Sequence, residues 1–227
     1  MPAPLPVING RKFGRLPQFD QRSRAFPIRA LVPEKPRSYT WKVGVYLDQG
    51  QEGACVGFGW AHELVARPVV VPNVTEALAR DIYHKAQILD EYTDTPPEEG
   101  TSVIAGAQVV HGWGFVPEYR WAFGLQDLIL AVGHHGPAVA GVNWYDGMFD
   151  TDSAGFIHVT GQVAGGHCVC IPGVNVGKKY FRGHNNWGKS WGVGGDFFIS
   201  FDDMERLLHE QGEACIPVRR SEVGILA

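Results

Sequence analysis

An α+β fold in two lobes, the first helical and the second rich in strands, is predicted by three features of this 227-residue sequence. The first half carries apolar residues at helical spacing between capping signals. The second half breaks into short apolar runs separated by glycine turns, the texture of an irregular sheet. A cysteine motif and a histidine motif fall one in each half, so a site that joins them must lie in the cleft between lobes. The composition suits this reading: 44% hydrophobic and 19% charged residues, with 29 glycines and 7 tryptophans. That is an ordinary globular balance with ample length for a large core. No apolar run approaches the roughly 18–20 residues of a membrane span, and no membrane partner is expected.

Residues 1–40 are expected to form an extended arm, because seven of the 15 prolines fall in the first 36 positions. The arm is basic. Residues 1–42 hold nine Lys or Arg against Asp20 and Glu34, a net of +7, which leaves −11 for the rest of a chain whose total is −4. Such an arm lies on the acidic body for modest surface electrostatics, covers the cleft, or binds a polyanion. Its spacing matches no nucleic-acid module, and no nucleic-acid partner is expected.

Residues 41–227 form the main domain, with the helical lobe at about 48–115 and the β-rich lobe at about 116–227. Residues 41–47 read as a strand leading into the Asp48-Gln49-Gly50 turn. From 55 to 67, Val56, Trp60, Leu64 and Val65 recur at helical spacing until Pro68 ends the run. Asn73-Val-Thr-Glu76 resembles a capping box for a helix through Leu89. Glu99-Gly100-Thr101-Ser102 caps a third helix ending near Gly112 or Gly114, and a fourth runs from about 126 to 132. Strands are expected at 138–144, 156–163, 167–174, 179–183 and 196–201, and Asp202-Asp203 opens a last helix to Gln211.

The start Met-Pro-Ala-Pro-Leu-Pro lacks the charged-then-apolar layout of an export signal, which leads to an expected cytoplasmic location. In that compartment the four cysteines, Cys55, Cys168, Cys170 and Cys215, are free thiols. Cys168 and Cys170 would share one strand face and be core residues. No second ligand pair has zinc spacing, so neither a metal nor any other cofactor is expected.

The candidate chemistry sits in Gln49, Cys55, His167 and Asn185. Cys55 opens a predicted helix, where free amides and the dipole would lower its thiol pKa. An imidazole such as His167 holds a thiolate as an ion pair and later protonates a leaving amine. Asn185 can fix the far nitrogen of that ring, and Trp187 can keep water from the bond. The side-chain amide of Gln49 and the Cys55 backbone N–H can form an oxyanion hole.

These residues resemble the motifs of the papain-like cysteine proteases. Asp48-Gln49-Gly50-Gln51-Glu52-Gly53-Ala54-Cys55 is similar to that family's D/N-Q-G-x-C-G-S-C-W. Gly165-Gly166-His167-Cys168-Val169 is similar to its G-x-H-A-V strand, and the block from Tyr180 through Asn185-Asn186-Trp187-Gly188 to Trp191-Gly192 is similar to its Y-W-x-x-K-N-S-W-G-x-x-W-G. The resemblance spans the layout of residues 40–200. It implies a two-lobed papain-like fold, a Cys55 nucleophile, His167 as acid/base, Asn185 as its orienter and Gln49 as oxyanion donor. It also implies that Gly100, Thr101, Gly166 and Trp187 line the substrate groove. Glu52 replaces the family's disulfide cysteine and Val56 the tryptophan after the nucleophile, and only the short basic arm precedes the domain. These departures suggest a type found in bacteria or phage-infected cells. The implied function is hydrolysis of peptide bonds in a protein or peptide substrate. A thiol transamidase, deamidase or isopeptide or cell-wall amidase, or a non-catalytic binding module, would use the same fold.

Three further signals are read as structural. Asp150-Thr-Asp152 lacks the glutamate of a calcium loop and reads as a turn. His134-His135 reads as a helix C-terminal pair favoured by the dipole. The glycines of 192–195 lack the lysine of a phosphate loop.

Overall fold

Six α-helices and one seven-stranded sheet organise the computed structural model, which describes residues 7–33, 35–90 and 99–218. The helices are α1 Gln21–Arg24, α2 Cys55–Leu64, α3 Glu76–Leu89, α4 Val103–Gly112, α5 Leu125–His134 and α6 Phe201–His209. The strands are β1 Tyr39–Thr40, β2 Glu118–Ala122, β3 Ala138–Tyr145, β4 Val163–Asn175, β5 Tyr180–His184, β6 Asp196–Ser200 and β7 Glu213–Val218. The sheet is antiparallel in the order β2-β7-β3-β4-β5-β6, with β1 pairing on β4. The α+β class expected from the sequence is the one found.

Two apolar clusters support the site. One packs α2, α3 and α4 together, and reaches Val139, Cys168 and Cys215 on the sheet. The other fills the opposite face of the sheet around Trp144, Val169, Phe181 and Trp187, and takes in Phe13 and Ile28 from the arm. Alternation along the strands divides the two: Cys168 faces the helices and Val169 the other cluster. Cys168 and Cys170 are fully buried, as expected of core residues, and all four cysteines are free thiols.

Local chemistry sets the helix starts. Thr75 caps α3 by accepting from Leu78 N–H, and Ser102 caps α4 by accepting from Ala105 N–H. The central helix α2 is different: all ten of its residues are buried, and Ala54 at its N-cap offers no side-chain acceptor. Its glycines let it sit close to its neighbours. A Cβ at Gly57 would lie 2.1 Å from the Ala79 carbonyl oxygen of α3.

Several expectations need correction. Residues 41–47 form no strand; Val43 makes one isolated bridge to Ala66. Residues 156–163 form none either, apart from a Phe156–Phe198 bridge and the first residue of β4. Their backbone is satisfied locally instead, for example by Gly147 N–H donating to Thr160 O at 2.9 Å. Strands β2 and β7 appear where none was expected. Pro217 in β7 lies beyond the residues paired with β3, where its missing N–H costs no ladder bond. The arm is not merely extended, since it carries α1, a short 3₁₀ turn at Ile28–Ala30 and β1. Both rings at the end of α5 reach it, His134 to the Lys35 carbonyl and His135 to that of Leu31, each at 3.0 Å. Of the expected arm and main domain, residues 1–6, 34, 91–98 and 219–227 lie outside the described residues.

Gly57→Ala tests the α2–α3 approach. Alanine favours an isolated helix by about 1 kcal/mol, but overpacking against backbone costs about 3 kcal/mol. A lower urea midpoint with an unchanged slope is therefore expected. A raised midpoint would show that the helices part without penalty.

Candidate active site

Cys55 is the first residue of α2, and His167 lies in β4, which packs directly on that helix. The Cys55 thiol points at the Gly166 carbonyl oxygen, 4.0 Å away. His167 Nε2 lies 2.9 Å from Asn185 Oδ1, which also accepts the Asn186 N–H at 2.8 Å. Only an oxygen can accept that backbone proton, so Oδ1 is assigned and His167 Nε2 must be the donor. The neutral ring therefore keeps a bare lone pair on Nδ1, which is buried and has no hydrogen-bond partner. A nitrogen in that state can take a thiol proton.

Aromatic rings close the histidine in. Trp187 lies at a 31° tilt with ring centroids 5.1 Å apart, and Trp144 stands edge-on at 4.7 Å. Sequence reasoning found Trp187 and missed Trp144, which lies in an apolar strand with no motif around it. Both indoles are fully buried, so the His167–Asn185 bond lies in a dry, low-dielectric setting.

The neighbouring Asn186 ties the pieces together. Its Nδ2 donates to the Cys55 carbonyl at 3.2 Å and the Cys168 carbonyl at 2.7 Å, joining the start of α2 to β4. Its Oδ1 accepts from His62 Nδ1 at 3.0 Å, and its own carbonyl accepts from Gln49 N–H at 2.9 Å. His62 Nε2 accepts from Leu47 N–H at 3.0 Å, so this ring is fully used as a neutral imidazole. Burial, with His184 nearby, holds its pKa well below the ordinary 6.5. The second asparagine of the Asn-Asn pair could have drawn attention, but its partner His62 lies 124 positions away.

The arm runs through this site. Arg15 N–H donates to Gly166 O, Thr101 N–H to Gly14 O and Leu16 N–H to Thr101 O, at 2.8–2.9 Å. The pairing with Thr101 is parallel. Side chains alternate as on an extended strand. Arg11 lies over Trp187 and pairs with Asp48 at 2.9 Å, while Phe13 stands edge-on to His167. Lys12 pairs with Glu99 at 2.5 Å, and its carbonyl accepts from Gln49 Nε2 at 3.1 Å. Gly14 passes between Gly53 and Gly100, where a Cβ would fall 1.7 Å from the Gly53 oxygen. Arg15 reaches the buried Glu213 at 2.9 Å. Burial pushes the Glu213 carboxyl up to about 7 against the pull of Arg15. The basic arm thus covers the cleft, as one of the expected readings had it.

Of the residues named from sequence, the structure gathers Gln49, Cys55, His167 and Asn185 in one place. Gly100, Thr101, Gly166 and Trp187 surround the arm there. The low thiol pKa expected from the helix start does not hold with the arm seated. Burial pushes the Cys55 thiol up to about 11 and the His167 imidazole down to about 4. The pair is uncharged in this closed form.

Comparison with known proteins places this geometry. No family model matches the chain. Cathepsin B of Dictyostelium discoideum is 34% identical over 71 residues, 30% of this chain and 23% of that protein. Cathepsin B-like cysteine proteinase 4 of Caenorhabditis elegans is 34% identical over 67 residues, 29% of this chain and 20% of that protein. The chain thus spans about a quarter or less of the curated relatives it matches. Among solved structures, xylellain, a cysteine protease from Xylella fastidiosa, superposes with a TM-score of 0.63 at 18% identity, over 91% of this chain and 96% of that one. Procathepsin L 3 of Tenebrio molitor superposes with a TM-score of 0.57 at 15% identity, over 90% and 75%. The fold is that of the papain-like cysteine proteases. Its individual mark is the arm in the cleft, with Lys12 on Gln49, Gly14 on Thr101 and Arg15 on Gly166 and Glu213.

Three outcomes follow from this geometry. With the arm seated, alkylation of Cys55 by iodoacetamide should stay slow from about pH 5 to 9, since a thiol with a pKa of about 11 remains protonated there. Gly14→Val should accelerate that alkylation at pH 7 by about tenfold or more, read by mass spectrometry at Cys55. Equal rates would mean the arm is no shield. Asn186→Ala, which strips partners from His62 and two buried carbonyls, should cost about 2–4 kcal/mol in urea unfolding. A loss under about 0.5 kcal/mol would show that packing alone holds Cys55 beside β4.

Proposed function

We propose that the chain is a papain-like cysteine peptidase, held in a self-blocked form by its own N-terminal arm. One observation carries the reading: a thiol at the start of a buried helix faces the strand of a histidine whose tautomer is fixed by an asparagine. In this mechanism the arm leaves and water and substrate enter. His167 Nδ1 takes the proton of Cys55, and the thiolate attacks a peptide carbonyl. The developing oxyanion takes hydrogen bonds from Gln49 Nε2 and the Cys55 N–H. His167 protonates the leaving amine, and then activates the water that releases the acyl group from sulfur. Asn185 keeps the ring in its tautomer throughout, under Trp187.

The contact between Gln49 and Lys12 O supports both halves of the reading. A main-chain carbonyl already sits on the donor assigned to the oxyanion, and it belongs to the arm. Several similar structures are precursors, including procathepsin L 3 and a stem bromelain precursor. Xylellain and the cathepsin B relatives act as cysteine proteases by name, which favours hydrolysis over transfer to another acceptor. We place the enzyme in a reducing compartment, the cytoplasm of a bacterium or a phage-infected host, where four free cysteines are stable.

A peptidyl epoxysuccinate should label Cys55 faster in Gly14→Val than in the unsubstituted chain, and the Gly14→Val protein should cleave a denatured proteome. No labelling of Cys55 in either protein would end the catalytic reading. Labelling without cleavage, with acyl transfer to added amines, would point to a transferase. In the same background, Gln49→Ala should lower kcat/KM about 100-fold while leaving iodoacetamide alkylation within about twofold. Equal loss of both would make Gln49 a structural residue.

A further inference from the structure

Two buried histidines outside the reacting groups meet edge to face, and each spends one nitrogen on the backbone that leads to Gln49. His62 of α2 and His184 at the end of β5 stand with ring centroids 4.4 Å apart at 83°. His184 Nε2 lies 3.0 Å from the Val45 carbonyl oxygen, and its Nδ1 lies 2.6 Å from Asp196 Oδ1. Arg182 donates to the other oxygen of Asp196, from Nε at 3.0 Å and from Nη2. Burial works against a charged Asp196, but the bonds from His184 and Arg182 outweigh it and hold the carboxyl below its ordinary 3.8. A carbonyl and a carboxylate only accept, so both His184 nitrogens must donate and the ring carries two protons. His62 is its opposite. Its Nε2 accepts from Leu47 N–H and its Nδ1 donates to Asn186, which makes it neutral. The two states are compatible, because burial and the adjacent His184 charge together oppose a second proton on His62.

We propose that His62 and His184 are a positioning pair, which holds the segment 45–49 along residues 186–188 and so places the side-chain amide of Gln49 beside Cys55. The proposal deepens the peptidase reading and takes the oxyanion role of Gln49 from it. In an extended chain the carbonyl of residue 45, both main-chain groups of 47 and the N–H of 49 point to one side. The main chain satisfies two of these four. Gly188 N–H donates to Leu47 O at 3.3 Å, and Asn186 O accepts from Gln49 N–H at 2.9 Å. The two imidazoles satisfy the other two, Val45 O and Leu47 N–H. Side chains thus complete a ladder that the main chain leaves half made. The protonation states are part of the device. A neutral His184 has one proton for two acceptors, and a charged His62 has no lone pair for Leu47. Either change strands a polar group in the interior and loosens the segment. The charged and titratable groups facing the pair are Asp196 of β6, Arg182 of β5 and Tyr46, whose ring lies 4.5 Å from that of His184. Lys189 lies over the Tyr46 ring in turn.

The test uses the full chain, and its first two measurements need no turnover. Imidazole NMR of the unsubstituted chain at pH 7 should show two ring N–H protons on His184 and one on His62. One proton on each ring would overturn the proposal, and this count decides if the variants fail to fold. His184→Asn keeps a donor near Asp196 and loses the one to Val45, whereas His184→Gln reaches as far as Nε2 and keeps it. Hydrogen exchange of the Leu47 and Gln49 amides should speed up about fivefold or more in His184→Asn, relative to the amides of α3, and stay within about twofold in His184→Gln. Equal behaviour of the two variants, or equal acceleration across α3, would reduce the ring to packing and overturn the proposal. In the Gly14→Val background, His184→Asn should lower kcat for peptide cleavage about tenfold, with KM and iodoacetamide alkylation of Cys55 within about twofold. Once Gln49 is Ala, His184→Asn should have no further effect on kcat; independent, multiplying losses would overturn the link to Gln49. The expected exchange pattern with no cleavage by the Gly14→Val parent would uphold the pair and end the peptidase reading. Cleavage with unchanged exchange would uphold the peptidase and remove the pair.

Discussion

The site depends on one buried carboxamide. Cys55 and His167 belong to elements more than a hundred residues apart in sequence, and neither element alone can set the distance between them. Asn186 does so by bonding the carbonyl of Cys55 and that of Cys168, the residue after the histidine. Its oxygen takes the His62 proton, its main chain holds the loop of Gln49, and its neighbour Asn185 holds the histidine ring. Cys55, His167 and Gln49 are thus referred to one point. A network of this kind is stiffest where its members are satisfied. Both ring nitrogens of His62 and both polar atoms of the Asn186 carboxamide are bonded, whereas His167 Nδ1, Asn185 Nδ2 and Gln49 Oε1 around it are buried without a partner.

Against that frame, the arm sets the electrostatic surroundings of Cys55 and His167. A helix N-terminus favours a thiolate by about 0.3–1 kcal/mol. Sealing the same thiol from water raises its pKa from 9.0 to about 11, a penalty of roughly 3 kcal/mol on the thiolate. Burial wins, and it acts on His167 in the complementary direction, towards the neutral ring. Two features of this arrangement oppose a reactive thiolate at Cys55. The groove is filled, and the charges that the reaction needs are disfavoured there. Both follow from the seat of the arm, where Gly14 fills the gap between Gly53 and Gly100.

How much of this was legible in the sequence follows the range of the interactions involved. Thr75 and Ser102 act within three residues, so the starts of α3 and α4 could be read directly. Gln49, Cys55, His167 and Asn185 stood out because their residue types have no joint structural explanation at that spacing. Strand β7 was not, since its role comes from pairing with β2 and β3 and its Pro217 argues locally against a strand. Residues 156–163 look like a strand by composition, yet they find their partners in the turn at Gly147. Glu213 carries no local signal at all. Burial raises its carboxyl against the pull of its partner Arg15, which lies 198 positions away.

That last pair bears on what the cleft is built to hold. Burying a carboxylate and a guanidinium together rarely stabilises a fold more than two apolar side chains of the same volume would. In Glu213 the balance is worse still, since one oxygen has no partner and the carboxyl is driven up to about 7. A purely structural clamp on the arm would be better served by a leucine in an apolar pocket. The charge opposition between arm and body, visible in the sequence as a broad asymmetry, narrows in the structure to a few contacts along the groove. The arm is held there by Lys12 on Glu99 and Arg15 on Glu213.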